Sequence, residues 1–306
     1  GAGHAARCIP VIKELEEIGI DVAVGGGGPG KRFVDMNGFE QPDFTQVTVE
    51  GDGVFDFLQH TFFDLIPSAA KRMKEVYSWM NDEDPEKLIS DDLFALIAAT
   101  IQGREFYRID HLTTDLFGPV WGTPLKIYNK VSLVFAEQII VTSLWKDNED
   151  PKGITRVDPL AQEGESDDSI EEYDILINPG THGKNFGEIK ERLEEKGLDV
   201  REVGDDQWET KKSMTPYTEK ADAVICTGFS SIADTVVAGT KCIIYPFLPF
   251  QKAIADEVDE RQIQGVKTAR SSDQAVETAL ECVEEKGGNP EYENGAPEFV
   301  DEVLRK

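Results

Sequence analysis

The sequence predicts an α/β protein of two doubly wound, Rossmann-like domains facing each other across a cleft. Three observations predict it. Short apolar runs alternate with helical patterns through both halves, and a polar acidic stretch breaks that alternation near the middle. The length of 306 residues gives each half enough chain to bury its own core.

The elements follow in order. Residues 20–25 (IDVAVG) read as a strand and 47–49 as a short second one. Residues 86–90 (EKLIS) lead through Asp91 and Asp92 into a helix over 93–101. Strands are expected at 106–109 and 138–141. The second half repeats the rhythm: strands at 173–177, 199–203, 223–226 and 241–245, with helices over 186–196 and 231–238. Such alternation implies parallel sheets with right-handed crossovers. Residues 156–172 carry Pro159, Gly164 and the run QEGESDDSIEE without hydrophobic period, which reads as a linker. The expected division is 1–158, a linker at 159–172, and 173–306. The chain opens with GAGHAARC, a glycine loop running straight into a helix. Such a loop normally follows a buried strand, so a first strand is expected to belong before Gly1.

Thirty-one Lys and Arg stand against fifty-nine Asp and Glu, a net charge of −28. A chain so charged repels polyanions, which argues against nucleic acid as a partner. The acids occupy helix faces (Glu188, Glu191, Glu194, Glu195) as well as loops, a distribution similar to that of halophilic archaeal cytosolic proteins. No apolar run approaches the roughly 20 residues that span a bilayer; the expectation is a cytosolic protein. The four cysteines, Cys8, Cys226, Cys242 and Cys282, form no CxxC pair and read as buried free thiols.

Candidate chemistry gathers in the turns that follow strands, where doubly wound domains bind ligands. Of four histidines, His4, His111 and His182 lie at such an edge or in a glycine-rich loop, whereas His60 reads as a helix residue. Gly1 and Gly3 let a backbone approach a ligand at a helix N-terminus. Gly180, Thr181 and His182 form a second such turn, and Gly228, Ser230 and Ser231 a third, in which either serine is expected to cap the following helix. Asp234 lies one turn in, on an expected exposed face, and Gln251 follows a Pro-rich turn.

The segment ADAVICTGFSSIADTVVAGTKCIIYPFLPFQKAIAD, residues 221–256, resembles the donor-binding stretch of glycosyltransferase family 28 and related UDP-sugar transferases. GAGHAAR resembles the N-terminal glycine loop of the same group, and residues 89–113 resemble its acceptor-domain strand–helix–strand more loosely. The resemblance implies the GT-B architecture, with the acceptor domain first and the donor domain second. It makes Ser230 and Ser231 the diphosphate turn, Asp234 the ribose-binding acid, Gln251 a donor-sugar contact, and His4 the acceptor-side histidine. Gly228, Gly180, Thr181 and His182 join the donor side; Gly1, Gly3 and His111 join the acceptor side. This chain has Asp234 where the family usually has Glu, and only half of the usual Gln-Asn pair.

The implied reaction is inverting sugar transfer from a nucleotide sugar, a UDP-sugar first, to a hydroxyl acceptor. His4 would be the base, with Asp91 or Asp92 orienting it or substituting for it. With no metal-ligand cluster at the candidate turns, neither metal nor cofactor is expected. Two rivals share the fold: a UDP-N-acetylglucosamine 2-epimerase-like enzyme and a non-catalytic nucleotide-sugar binder. Residues 112–135 read first as a buried helix and turn; their aromatic and aliphatic content is also compatible with a lipid-linked acceptor and contact with the inner membrane face.

Overall fold

The computed structural model describes residues 2–47, 66–111, 119–146, 150, 152–164, 169–180, 186–204, 208 and 211–305. The first half contains helices α1 (Ala2–Glu17), α2 (Pro29–Met36), α3 (Ile66–Glu83), α4 (Leu93–Gln102) and α5 (Pro119–Phe135). Strands β1 (Lys87–Ser90), β2 (Glu105–Asp110), β3 (Gln138–Thr142) and β4 (Ile154–Val157) lie in the order β1-β2-β3-β4, all parallel. Helix α4 forms where LFALIAATIQ begins. The Asp92 side chain caps it, accepting from the Phe94 amide at 2.9 Å, and Gly103 ends it at φ 67°, the left-handed conformation glycine adopts without penalty.

Two expectations change here. Residues 21–25 form no ladder; a single parallel bridge, Gly26 with Asp43, stands in place of the strand. The run ends in four glycines, which bring no side chains to a sheet face. Residues 48–49 of the second expected strand lie outside the described residues. Helix α5 inverts the expected burial over 127–135. Ile127, Val134 and Phe135 are 50% or more exposed, while Asn129 and Ser132 are buried. The cause is Arg108 on β2, 1% exposed. Its guanidinium donates to Asn129 Oδ1 (2.5 Å), Ser132 Oγ (3.1 Å) and Asp110, with its carbon 3.8 Å from the Tyr128 ring centre. A buried charge must be hydrogen-bonded, so α5 turns polar residues inward.

The second half contains β5 (Tyr173–Asn178), α6 (Gly187–Glu195), β6 (Val200–Glu202), α7 (Thr215–Thr218), β7 (Ala221–Cys226), α8 (Phe229–Val237), β8 (Lys241–Ile244), α9 (Pro249–Arg261), β9 (Val266–Thr268), α10 (Ser272–Glu284) and α11 (Ala296–Leu304). The sheet order is β6-β5-β7-β8-β9, all parallel. The strand order reverses between β5 and β7, which opens a crevice beyond their carboxyl ends. Alternate residues of β5, β7 and β8 feed separate cores on the two faces, Leu176, Val224 and Cys242 on one, Ile175, Ile225 and Ile243 on the other. Cys226 and Cys242 are fully buried free thiols with sulfurs 3.6 Å apart; Cys282 is buried and free as well, and Cys8 half-buried and free.

The stretch expected as a linker begins inside the structure. Arg156 and Val157 belong to β4, and Leu160, Ala161 and Gln162 are buried. Helix α11 returns to the first sheet: Ala296, Phe299, Val300 and Val303 share a core with Tyr107, Ile109, Ile140 and Val157. Among the described residues no helix is long and apolar enough to cross a membrane.

Candidate active site

The carboxyl ends of β1 and β2 deliver Asp91 and His111, each one residue beyond its strand, and the start of α1 lies against them. His4 Nδ1 meets Asp91 Oδ2 in a short hydrogen bond. The His4 side chain is 58% exposed and that of Asp91 24%, so a rigidly held imidazole faces solvent. Tyr128 Oη donates to the Asp91 carbonyl at 3.0 Å and fixes the turn. Burial by itself pushes the Asp91 carboxyl up. The hydrogen bond from His4, with the charges of His4 and Arg7, outweighs that and holds it below the usual carboxylate value. Burial, Arg7 and His4 push His111 well below the ordinary histidine value, against the pull of Asp91, so this imidazole is neutral. Its amide donates to Asp110 Oδ1 at 2.7 Å. The neighbouring Cys8 thiol, pushed up to about 12 by burial and by Asp91, stays protonated and is no nucleophile.

Across from these groups stands the N-terminus of α8. Its N-cap is Gly228, with no side-chain cap, so neither Ser230 nor Ser231 caps the helix as expected. Both sit inside the first turn, one and two residues past Phe229, where their side chains cannot reach back to the amides a cap serves. Among the described residues the first-turn amides therefore have no intrahelical or capping acceptor, a ready place for an anion. Ser230 Oγ donates instead to the Gly3 carbonyl at 3.0 Å, and the Phe229 ring packs on His111 with centroids 5.3 Å apart. These two contacts place the His4–Asp91 pair beside the α8 turn. Behind it, Thr227 Oγ1 reaches the Pro179 carbonyl at 3.5 Å. Gly180 turns at φ 57°, so the β5 and β7 turns meet at the reversal of strand order.

Three candidates hold other positions. Asp92 caps α4 and pairs with Arg72, whose Nε and Nη2 donate at 2.8 and 2.5 Å; the aspartate one residue earlier is the one that meets His4. Gln251 is buried, and its Oε1 accepts from the Phe247 and Leu248 amides, both at 2.9 Å. It thus holds the turn that starts α9. Asp234 is half-buried, not on an exposed face. Burial pushes its carboxyl up to about 7, against a hydrogen bond from the Gln162 backbone. Gly1, Thr181, His182 and His60 lie outside the described residues. Among the described residues no group of three or more His, Cys, Asp or Glu could hold a metal ion.

Sequence reading passed over Arg7. It lies three residues after His4 on α1, a spacing that puts both on one helix face, and its Nη2 is 3.9 Å from Asp91 Oδ2.

Similar folds exist among solved structures. A glycotransferase of kitacinnamycin superposes with a TM-score of 0.67 at 16% identity, over all of this chain and 96% of that one. The spinosyn rhamnosyltransferase SpnG complexed with thymidine diphosphate gives 0.61 at 12%, over all of this chain and 94% of that one. MurG of Acinetobacter baumannii gives 0.58 at 12%, over all of this chain and 97% of that one. The fold is GT-B. Its two parallel sheets are the two Rossmann-like domains of that architecture. No protein-family model matches the chain, and no curated protein matches it.

Proposed function

We propose that the chain is an inverting glycosyltransferase that moves a sugar from a nucleoside diphosphate sugar, a UDP-sugar first, to a hydroxyl acceptor. One observation carries the reading: a histidine–aspartate pair held against an uncapped helix N-terminus at the reversal of strand order.

The chemistry follows from that placement. Asp91 accepts from Nδ1–H of His4 and so leaves Nε2 as the acceptor of a proton. An acceptor hydroxyl within reach of Nε2 gives up its proton as its oxygen attacks the anomeric carbon, and Asp91 stabilises the imidazolium that forms. The bond to the diphosphate breaks, and the charge released falls to the first-turn amides of α8, each hydrogen bond to a charged oxygen contributing about 1.5–3 kcal/mol. Attack from the face opposite the leaving group inverts the anomeric centre. Protein groups alone serve both ends of the displacement, so the reaction is proposed to need no metal. Residues 1–158 supply the acceptor side and 173–306 the donor side. Asp234 and Gly180 are proposed to face the nucleotide, and Gln251 to shape the donor-sugar pocket through its turn.

Calorimetry of the chain with UDP-, dTDP- and GDP-sugars, followed by a transfer assay, tests the reading. His4→Ala is expected to lower turnover by about a hundredfold or more with donor affinity nearly unchanged. Equal loss of donor affinity would make His4 a binding residue, and absence of binding to all three donor classes would overturn the assignment.

A further inference from the structure

Arg7 is a buried guanidinium that the reaction above does not use. Its side chain is 7% exposed, in a chain whose charge is −28. Among the described residues it makes no hydrogen bond. The nearest carboxylate oxygen, Asp91 Oδ2, is 3.9 Å away and already taken by His4. That separation lies outside hydrogen-bond range and far from the paired geometry guanidinium and carboxylate adopt. A guanidinium carries five N–H donors and cannot shed its proton. Among the described residues none of these donors meets an acceptor within hydrogen-bond range, whereas the terminal nitrogens of Arg108, a buried arginine of the first sheet, are bonded to Asn129, Ser132 and Asp110.

A second polar group with a vacant hydrogen bond lies within the field of the same carboxylate. His111 Nδ1 is buried without a hydrogen-bond partner, and its field is coupled to that of Arg7, His4 and Asp91. Its ring rests on Phe229, the first residue of α8. Polar atoms on two elements thus converge beside the His4–Asp91 pair, and the groups missing from around them are acceptors. A guanidinium with vacant N–H donors, beside a neutral imidazole that donates from Nδ1 in the tautomer protonated there, selects an oxyanion, and the exposed edge at His4 is the side from which it would enter.

We propose that Arg7, with His111 beside it, is the seat of a substrate oxyanion, a phosphate or carboxylate group held next to the attacking hydroxyl. The existence of the seat rests on Arg7 and His111; what occupies it rests on the sugar-transfer reading, which offers the donor diphosphate or an acidic group on the acceptor. In a protein this acidic, such a seat is what admits an anionic acceptor that the surface field otherwise repels.

The test is calorimetric titration of the chain with inorganic pyrophosphate, orthophosphate and UDP at fixed ionic strength, for wild type, Arg7→Met and Arg7→Lys, with a thermal melt of each. Arg7→Met is expected to weaken pyrophosphate and orthophosphate at least tenfold and Arg7→Lys by less. The melting temperature of Arg7→Met should equal or exceed that of wild type, because an unbonded buried charge is replaced by an apolar side chain of similar length. A parallel loss of UDP affinity assigns the seat to the donor diphosphate. Retained UDP affinity assigns it to an acidic group of the acceptor. Unchanged pyrophosphate affinity in Arg7→Met overturns the proposal, as does wild type that binds neither inorganic anion. A lowered melting temperature with unaltered anion binding would make Arg7 structural. Binding is read without turnover: should no donor support transfer while pyrophosphate still depends on Arg7, the sugar-transfer reading falls and the seat stands.

Discussion

Replacing Asp91 with Asn removes the charge from the His4 pair while keeping its shape. In the structure the carboxylate takes one short hydrogen bond from His4 Nδ1 and is held ionised by His4 and Arg7. As proton transfer proceeds, that bond becomes one between an imidazolium and a carboxylate. Its loss removes about 1.5–3 kcal/mol from the transition state, and at about 1.36 kcal/mol per decade the expected fall in kcat is roughly 10- to 150-fold. The donor KM should stay within about twofold, because Asp91 lies behind the imidazole and not at the α8 turn. Because the Asp91 carboxyl lies below its ordinary value, its contribution is complete above about pH 4 and lost only as pH falls through the lowered value. Steady-state kinetics on both proteins, with donor and acceptor varied separately, provide the assay. A kcat within twofold of wild type, or a loss confined to the donor KM, would refute the pair as the proton-accepting unit.

Three further outcomes are expected. Asp234 runs opposite in sign to Asp91: its raised carboxyl, about 7, makes the folded chain hold a proton the unfolded chain has released, so stability from this group falls as pH rises from about 4 to 7. Asp234→Asn should thus melt higher than wild type at pH 8, with no gap near pH 4, and should bind nucleotide sugar more weakly; equal melts at pH 8 would sink the burial argument. Gln251→Ala leaves the Phe247 and Leu248 amides without their acceptor and should lower stability in urea melts by about 1–3 kcal/mol; weakened donor binding at unchanged stability would show a direct ligand role instead. With a net charge of −28 and a Debye length shrinking from about 10 Å at 0.1 M to about 3 Å at 1 M, the thermal midpoint should climb steeply with added KCl, and a flat midpoint up to about 3 M would contradict self-repulsion as the dominant surface term.

Much of the architecture was legible because it depends on period. The alternation of Tyr173–Asn178, Ala221–Cys226 and Lys241–Ile244 with helical stretches survives any detail of packing, and so the second sheet was placed almost whole. The first half was less legible where side chains give way to glycine, at 25–28, and where one buried charge, Arg108, turned α5 inside out. At the site, the histidine edge was visible, but the choice between Asp91 and Asp92 was not. Neighbouring residues in a strand-to-helix turn point to different places, and only one can cap the helix. The capping signals were nonetheless present: Asp92 stands directly before an apolar helical run, and Gln251 stands three residues after Leu248, the N3 place of a capping box. Arg7 escaped because an arginine on a helix reads as surface until its burial is known.

Helix α11 has a bearing on how this protein is made. Phe299, Val300 and Val303 complete a core whose other walls are Tyr107, Ile140 and Val157. Glu302 accepts from Gln138 at 2.9 Å, and the Val303 carbonyl from Lys87 at 2.8 Å. During synthesis at about 5–20 residues per second, the wall at Val157 waits roughly 7–30 s for its partner helix, longer than helices and hairpins need to form. The first half therefore cannot finish folding as an independent unit on the ribosome, although it is made first. It must persist with an apolar face open while the entire second sheet is translated. A chaperone that shields that face should raise the yield of native chain more than one acting after release, and the acidic surface becomes an asset in that interval, keeping half-finished chains apart.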